Sequence, residues 1–221
     1  MHPYVTKLKT LLEEHANPFQ AAPMKKYMRD QFEYLGIKTP QRVALLKEFY
    51  ARQGLPEAKE LSPILRDLWS LPQREYQYTA VGLLERLSNK LPPNFIDTIE
   101  YLIVTKSWWD TVDSIAGTTV GAHFKRYPAI RKKYLAKWHK SKNMWLRRTT
   151  ILFQLNYKDE TNFDLLCRII RENLGSSEFF INKAIGWALR QYARTDPNAV
   201  KKFVKETELH PLSRREAMKH L

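Results

Sequence analysis

The chain has 221 residues, 43% hydrophobic and 12% aromatic, with a formal net charge of +14. That excludes global disorder, because a chain this long buries roughly 70 to 75% of its unfolded surface. A lone cysteine, Cys167, excludes an internal disulfide, and no run reaches the roughly 20 uncharged apolar residues that a bilayer span requires.

The opening Met1-His2-Pro3-Tyr4-Val5-Thr6-Lys7 lacks the apolar run of a secretory signal, so a cytoplasmic protein is expected. Thr39-Pro40 places a capping side chain before a proline and predicts a helix start, with Val43, Leu46, Phe49 and Tyr50 following at helical spacing. Ser62-Pro63 predicts a second start in the same way. Further on, Ile151, Leu152 and Leu155 repeat the spacing, as do Ile185, Ala188, Leu189 and Tyr192, and Asp196-Pro197 predicts a late helix start. Alternating strand patterns are scarce, so the chain is expected to be all-α, with roughly a dozen helices of about 10 to 18 residues.

Apolar anchors recur at Leu46, Val81, Ile115, Ile151, Ile185 and Met218, separated by 33 to 36 residues. One helix pair cannot cover its own apolar face, so neighbours must stack. The expectation is a single domain over 1–221, a superhelical solenoid of HEAT-like helix pairs with a concave basic inner surface. Residues 1–110 carry 15 Lys+Arg against 13 Asp+Glu, and residues 111–221 carry 22 against 10. A surplus concentrated in one half suits a polyanion binder and equally suits a solvated surface.

Familiar chemistries are missing. There is no Gly-rich phosphate loop, and the six histidines show no ligand spacing, so no metal or other cofactor is expected. Gly117 and Gly121 read as a close-packing pair, and Cys167 as a buried structural thiol. What stands out is Ser107-Trp108-Trp109-Asp110-Thr111-Val112-Asp113-Ser114-Ile115, where Trp109 and Asp113 share a helix face. Arg148 lies three residues before the anchor Ile151 and Trp187 two after Ile185, so stacking would bring all four toward one wall. Lys183, Trp187, Arg190 and Arg194 form one stripe, with Arg147 and Arg148 one repeat earlier. Cations interleaved with indole faces suit a phosphate backbone and exposed sugars or bases. An Asp on such a wall weakens binding unless it serves chemistry, and a carboxylate can stabilise oxocarbenium character at a sugar.

The blocks Lys106-Ser107-Trp108-Trp109-Asp110-Thr111-Val112-Asp113-Ser114, Trp145-Leu146-Arg147-Arg148 and Phe179-Phe180-Ile181-Asn182-Lys183-Ala184-Ile185-Gly186-Trp187-Ala188-Leu189-Arg190, in that order and spacing, resemble the DNA alkylation repair glycosylases of the AlkD type. The resemblance covers the whole chain and implies excision of N3- and N7-alkylated purines, such as 3-methyladenine and 7-methylguanine, from double-stranded DNA. It implies Asp113 as the catalytic carboxylate, Trp109 and Trp187 as aromatic walls, Arg148 as a cation on the DNA backbone, and Tyr27 as a residue approaching the DNA. It also implies capture of the lesion without a deep base-binding pocket, and a last repeat shorter than in relatives. Lys183, Arg190 and Arg147 are expected to bind DNA beside them, in a monomer of the bacterial cytoplasm with no membrane partner. No lysine adjoins Asp113 in sequence, the nearest being Lys106, so a monofunctional glycosylase leaving an abasic site is expected. The alternative is a non-catalytic helical-repeat protein that binds damaged or distorted DNA, and a third reading is a protein-interaction solenoid.

Overall fold

A computed structural model describes residues 1–221 as helices joined by short turns, with no strand beyond one isolated bridge between Glu33 and Gln73. The chain divides into two compact units, Met1–Pro92 and Pro93–Leu221.

The first unit holds α1 (Pro3–Glu14), α2 (Pro18–Tyr27), α3 (Thr39–Gln53), α4 (Ala58–Ser70) and α5 (Arg74–Leu87). Val5, Leu8 and Leu12 on α1 share a core with Leu61, Ile64, Leu65, Leu68 and Trp69 on α4. The start expected at Ser62-Pro63 falls inside α4, which begins at Ala58 because Glu57 and Glu60 form a reciprocal capping box there. The helix therefore starts one turn early and absorbs Pro63, losing a single backbone bond near its beginning. Thr39 is the first residue of α3 and leaves its cap position to Lys38. Between α2 and α3, the buried Glu75 carboxylate accepts the backbone N–H groups of Leu35, Gly36 and Ile37 at 3.0, 2.9 and 3.1 Å. Gly36 sits at φ +89°, and a Cβ there would stand 1.9 Å from the Asn17 carbonyl oxygen, so only glycine fits this turn.

The second unit holds α6 (Ile96–Val104), α7 (Trp109–Ser114), α8 (Gly121–Arg126), α9 (Pro128–Trp138), α10 (Met144–Leu152), α11 (Phe163–Arg171), α12 (Phe179–Tyr192), α13 (Pro197–Glu206) and α14 (Pro211–Ala217). Asp196 caps α13 as its spacing before Pro197 predicts, accepting the Ala199 N–H at 2.9 Å. Helices α7 and α8 run on through a π-helical turn, Ile115–Val120. Immediately after that turn Gly121 lies against α10: a Cβ would meet the Phe153 carbonyl oxygen at 2.6 Å, and the Gly121 carbonyl accepts the Tyr157 hydroxyl at 2.7 Å. Gly121 is thus a close-packing position, whereas a Cβ at Gly117 would meet only ordinary contacts, at 3.4 Å or more.

Helix α10 packs against α6, α7, α9, α11 and α12, and α12 packs against α14, so that neighbours bury one another's apolar faces as in an α-helical repeat. The anchors Leu46, Val81, Ile115, Ile151 and Ile185 are all buried, whereas Met218 is only half-buried.

Candidate active site

Three helices of the second unit converge on one cleft. The chain leaves α6 through a turn in which Lys106 adopts a left-handed φ of +46° and the Ser107 hydroxyl donates to the Ile103 carbonyl at 2.6 Å. Trp108 then stands extended at the N-cap of α7 and packs its ring against Trp145 and Phe180, with centroids 5.9 and 5.2 Å away. Trp145 and Phe180 meet at 5.1 Å, so this aromatic cluster ties α7, α10 and α12 together. Trp108 is thereby structural, and Trp109, the next residue, lines the cleft.

The cleft, of about 330 Å³, is lined by Trp109, Asp113, Arg148, Phe179, Phe180, Lys183, Trp187 and Arg190. Four of the residues singled out by spacing, Trp109, Asp113, Arg148 and Trp187, therefore share one wall, together with Lys183 and Arg190. Arg147 does not join them: its guanidinium donates to the Ser141 carbonyl at 2.6 Å. Tyr27 belongs to the first unit, where it lies exposed at the end of α2. Arg194 is exposed beyond the end of α12.

Arg148 lies buried in this wall. Its side chain is 3% exposed and meets Asp113 at two points, Nε to Oδ1 at 2.7 Å and Nη2 to Oδ2 at 2.8 Å. Its Nη1 donates to the Phe180 carbonyl. A guanidinium so engaged orients the carboxylate and compensates its charge. Burial pushes the Asp113 carboxyl above its ordinary value, while Arg148 pulls the other way without offsetting it fully.

A second acid went unnoticed in the sequence. Glu216, on α14, places Oε1 2.8 Å from Lys183 Nζ and Oε2 2.5 Å from Arg190 Nη1, and these cations hold its carboxyl down to about 2. Arg190 Nη1 also donates to the Glu216 carbonyl at 3.1 Å. Such closeness depends on Gly186: a Cβ there would stand 2.5 Å from Glu216 Cβ and 2.8 Å from the Ser213 carbonyl oxygen. The Ser213 hydroxyl donates to the Asn182 carbonyl at 2.8 Å and fixes α14 on α12. Phe179 and Phe180 were likewise visible in sequence as part of an aromatic block, but nothing in their spacing placed them on the cleft.

Cys167 is buried, and burial pushes its thiol to about 11, which leaves it protonated and unreactive. No helix is long and apolar enough to cross a membrane, and no group of three or more His, Cys, Asp or Glu side chains is placed to hold a metal ion.

A family model described as DNA alkylation repair enzyme matches residues 8–221. A solved structure described as a predicted DNA alkylation repair enzyme from Enterococcus faecalis is 34% identical to the chain. It superposes with a TM-score of 0.86, covering 93% of this chain and 96% of that one. No curated protein matches the sequence.

Proposed function

Since the chain belongs to the family of DNA alkylation repair enzymes, we propose that it is a DNA glycosylase. Its substrates are N3- and N7-alkylated purines in duplex DNA, such as 3-methyladenine and 7-methylguanine. The observation that carries this reading is the Asp113 carboxylate, held by Arg148 in a cleft walled by Trp109 and Trp187.

An alkylated purine of this kind is already cationic. When its C1′–N bond breaks, the electron pair leaves with the base, which departs neutral without a strong general acid. Positive charge then builds on the deoxyribose. Asp113 opposes that charge directly, and the two indole faces contribute cation–π attraction of roughly 0.5 to 2 kcal/mol each. Water adds to C1′ and gives up its proton to Asp113 or to solvent, leaving an abasic site.

Arg148 keeps the carboxylate ionised and aimed, so it acts through Asp113 and not on the DNA backbone. The lysine on the cleft wall is Lys183, not the sequence neighbour Lys106, and its amine is held by the Glu216 carboxylate. An amine so engaged is not free to attack an abasic sugar, which supports hydrolysis over lyase chemistry. A wall of half-buried aromatic and cationic groups also suits capture of the lesion without a deep pocket.

Incubation with methylated duplex followed by alkaline cleavage tests the reading. Breaks at alkylated purines are expected; intact strands together with tight duplex binding would favour a non-catalytic DNA-binding protein.

A further inference from the structure

The two cations on the cleft wall are not free to give their full charge to DNA. Lys183 and Arg190 sit about two helical turns apart on α12, and one carboxylate spans them from behind. The Glu216 side chain is 11% exposed against 39% for Lys183, so the amine faces solvent and the acid lies beneath it. The contact is built in, because Gly186 and the Ser213 hydrogen bond hold α14 at this distance.

We propose that Glu216 is an internal counter-ion that occupies the Lys183–Arg190 pair in the manner of a phosphate and weakens the grip of this cleft on undamaged duplex. The inference rests on the DNA-binding part of the function proposed above. Each phosphate neutralised by a free cation releases condensed counterions and adds about 0.9 to the log-log salt slope. Two cations already sharing a carboxylate offer one net charge where they would otherwise offer two. The consequence is selectivity: undamaged DNA is in vast excess, and an uncompensated pair would detain the protein on it without favouring a lesion.

The experiment measures binding of a fluorescein-labelled, unmodified duplex over a KCl series by anisotropy. Proteins compared are the wild-type chain, Glu216→Gln, Glu216→Met, and Glu206→Gln as a control with the same charge change at the end of α13. Circular dichroism melts establish which variants fold, and either Glu216 variant suffices. Several-fold tighter binding and a slope steeper by up to about 0.9 are expected for the Glu216 variants, with the control unchanged. An unchanged or shallower slope, or an equal steepening in Glu206→Gln, would overturn the proposal. Base excision is not read in this assay, so a failure of the glycosylase reading shows separately in the methylated-duplex experiment. A wild-type chain that binds no duplex overturns both.

Discussion

Asp113 and Arg148 come from helices α7 and α10 and meet as a two-point ion pair, both carboxylate oxygens engaged and the guanidinium 3% exposed. The pair stands beside Trp109 and Trp187 in the same cleft, so the carboxylate is largely buried yet lines the open space between the two indoles.

Asp113→Asn keeps the shape and removes the charge. Release of 7-methylguanine from methylated duplex in single-turnover assays is expected to fall by at least about 100-fold, the usual order for loss of a transition-state electrostatic contact. Binding to the same duplex should persist. Near-normal release would remove Asp113 from the chemistry.

For Arg148, the buried pair predicts a stability effect where a surface phosphate contact predicts a salt effect. Arg148→Ala should destabilise the fold by about 3 to 5 kcal/mol, because it strands a buried carboxylate. In a thermal melt this is a drop in Tm on the order of 10 °C. Arg148→Lys should recover only part of it, since an ammonium cannot make the two-point contact. The salt slope for duplex binding should stay as in the wild type; a loss of about one unit would return Arg148 to the DNA backbone.

Acidity separates the two carboxyls. The proposed mechanism uses ionised Asp113, whose carboxyl is raised by burial, so it predicts that the excision rate falls on acidification at a pH above the ordinary aspartate value of about 3.9. Glu216 has the opposite sign: its carboxyl is depressed to about 2. Its contribution to folding is therefore complete above the unfolded glutamate value of about 4.3 and is lost as the pH falls through that range toward 2. A pH–rate profile and melts between pH 6 and pH 3 check the two statements, and Glu216→Gln should flatten the acid side of the melt series.

The indoles are expected to matter through their faces. Trp187→Ala or Trp109→Ala should slow excision by roughly 2- to 30-fold each, the range that 0.5 to 2 kcal/mol implies. Phenylalanine should restore part of the loss at either position. Single-turnover rates on 7-methylguanine duplex decide it, and equal rates for Ala and Trp would make these rings packing alone.

Local spacing carried much of this. Trp109 and Asp113 share a face because four residues make about one helical turn, and Asp196 capped α13 as its position before a proline implied. Spacing failed where an equally local competitor intervened, as when Glu57 and Glu60 started α4 ahead of Ser62-Pro63. It also failed where the partner was remote. The stripe on α12 announces Lys183 and Arg190 but says nothing of the acid brought to them by α14. Spacing places Arg148 on the cleft wall but not its depth, because the depth of a side chain is set by what packs against it, here the Phe180 ring and the Asp113 carboxylate.

The π-helical turn Ile115–Val120 sits between the acid-bearing helix α7 and the glycine that seats α8 on α10. It lodges an additional residue in what would otherwise be one uninterrupted spiral. Winding the same residues as ordinary α-helix, with none removed, would swing Trp109 and Asp113 by roughly 100° about the axis relative to Gly121. The aim of the carboxylate therefore depends on how that stretch is wound as much as on which residues compose it.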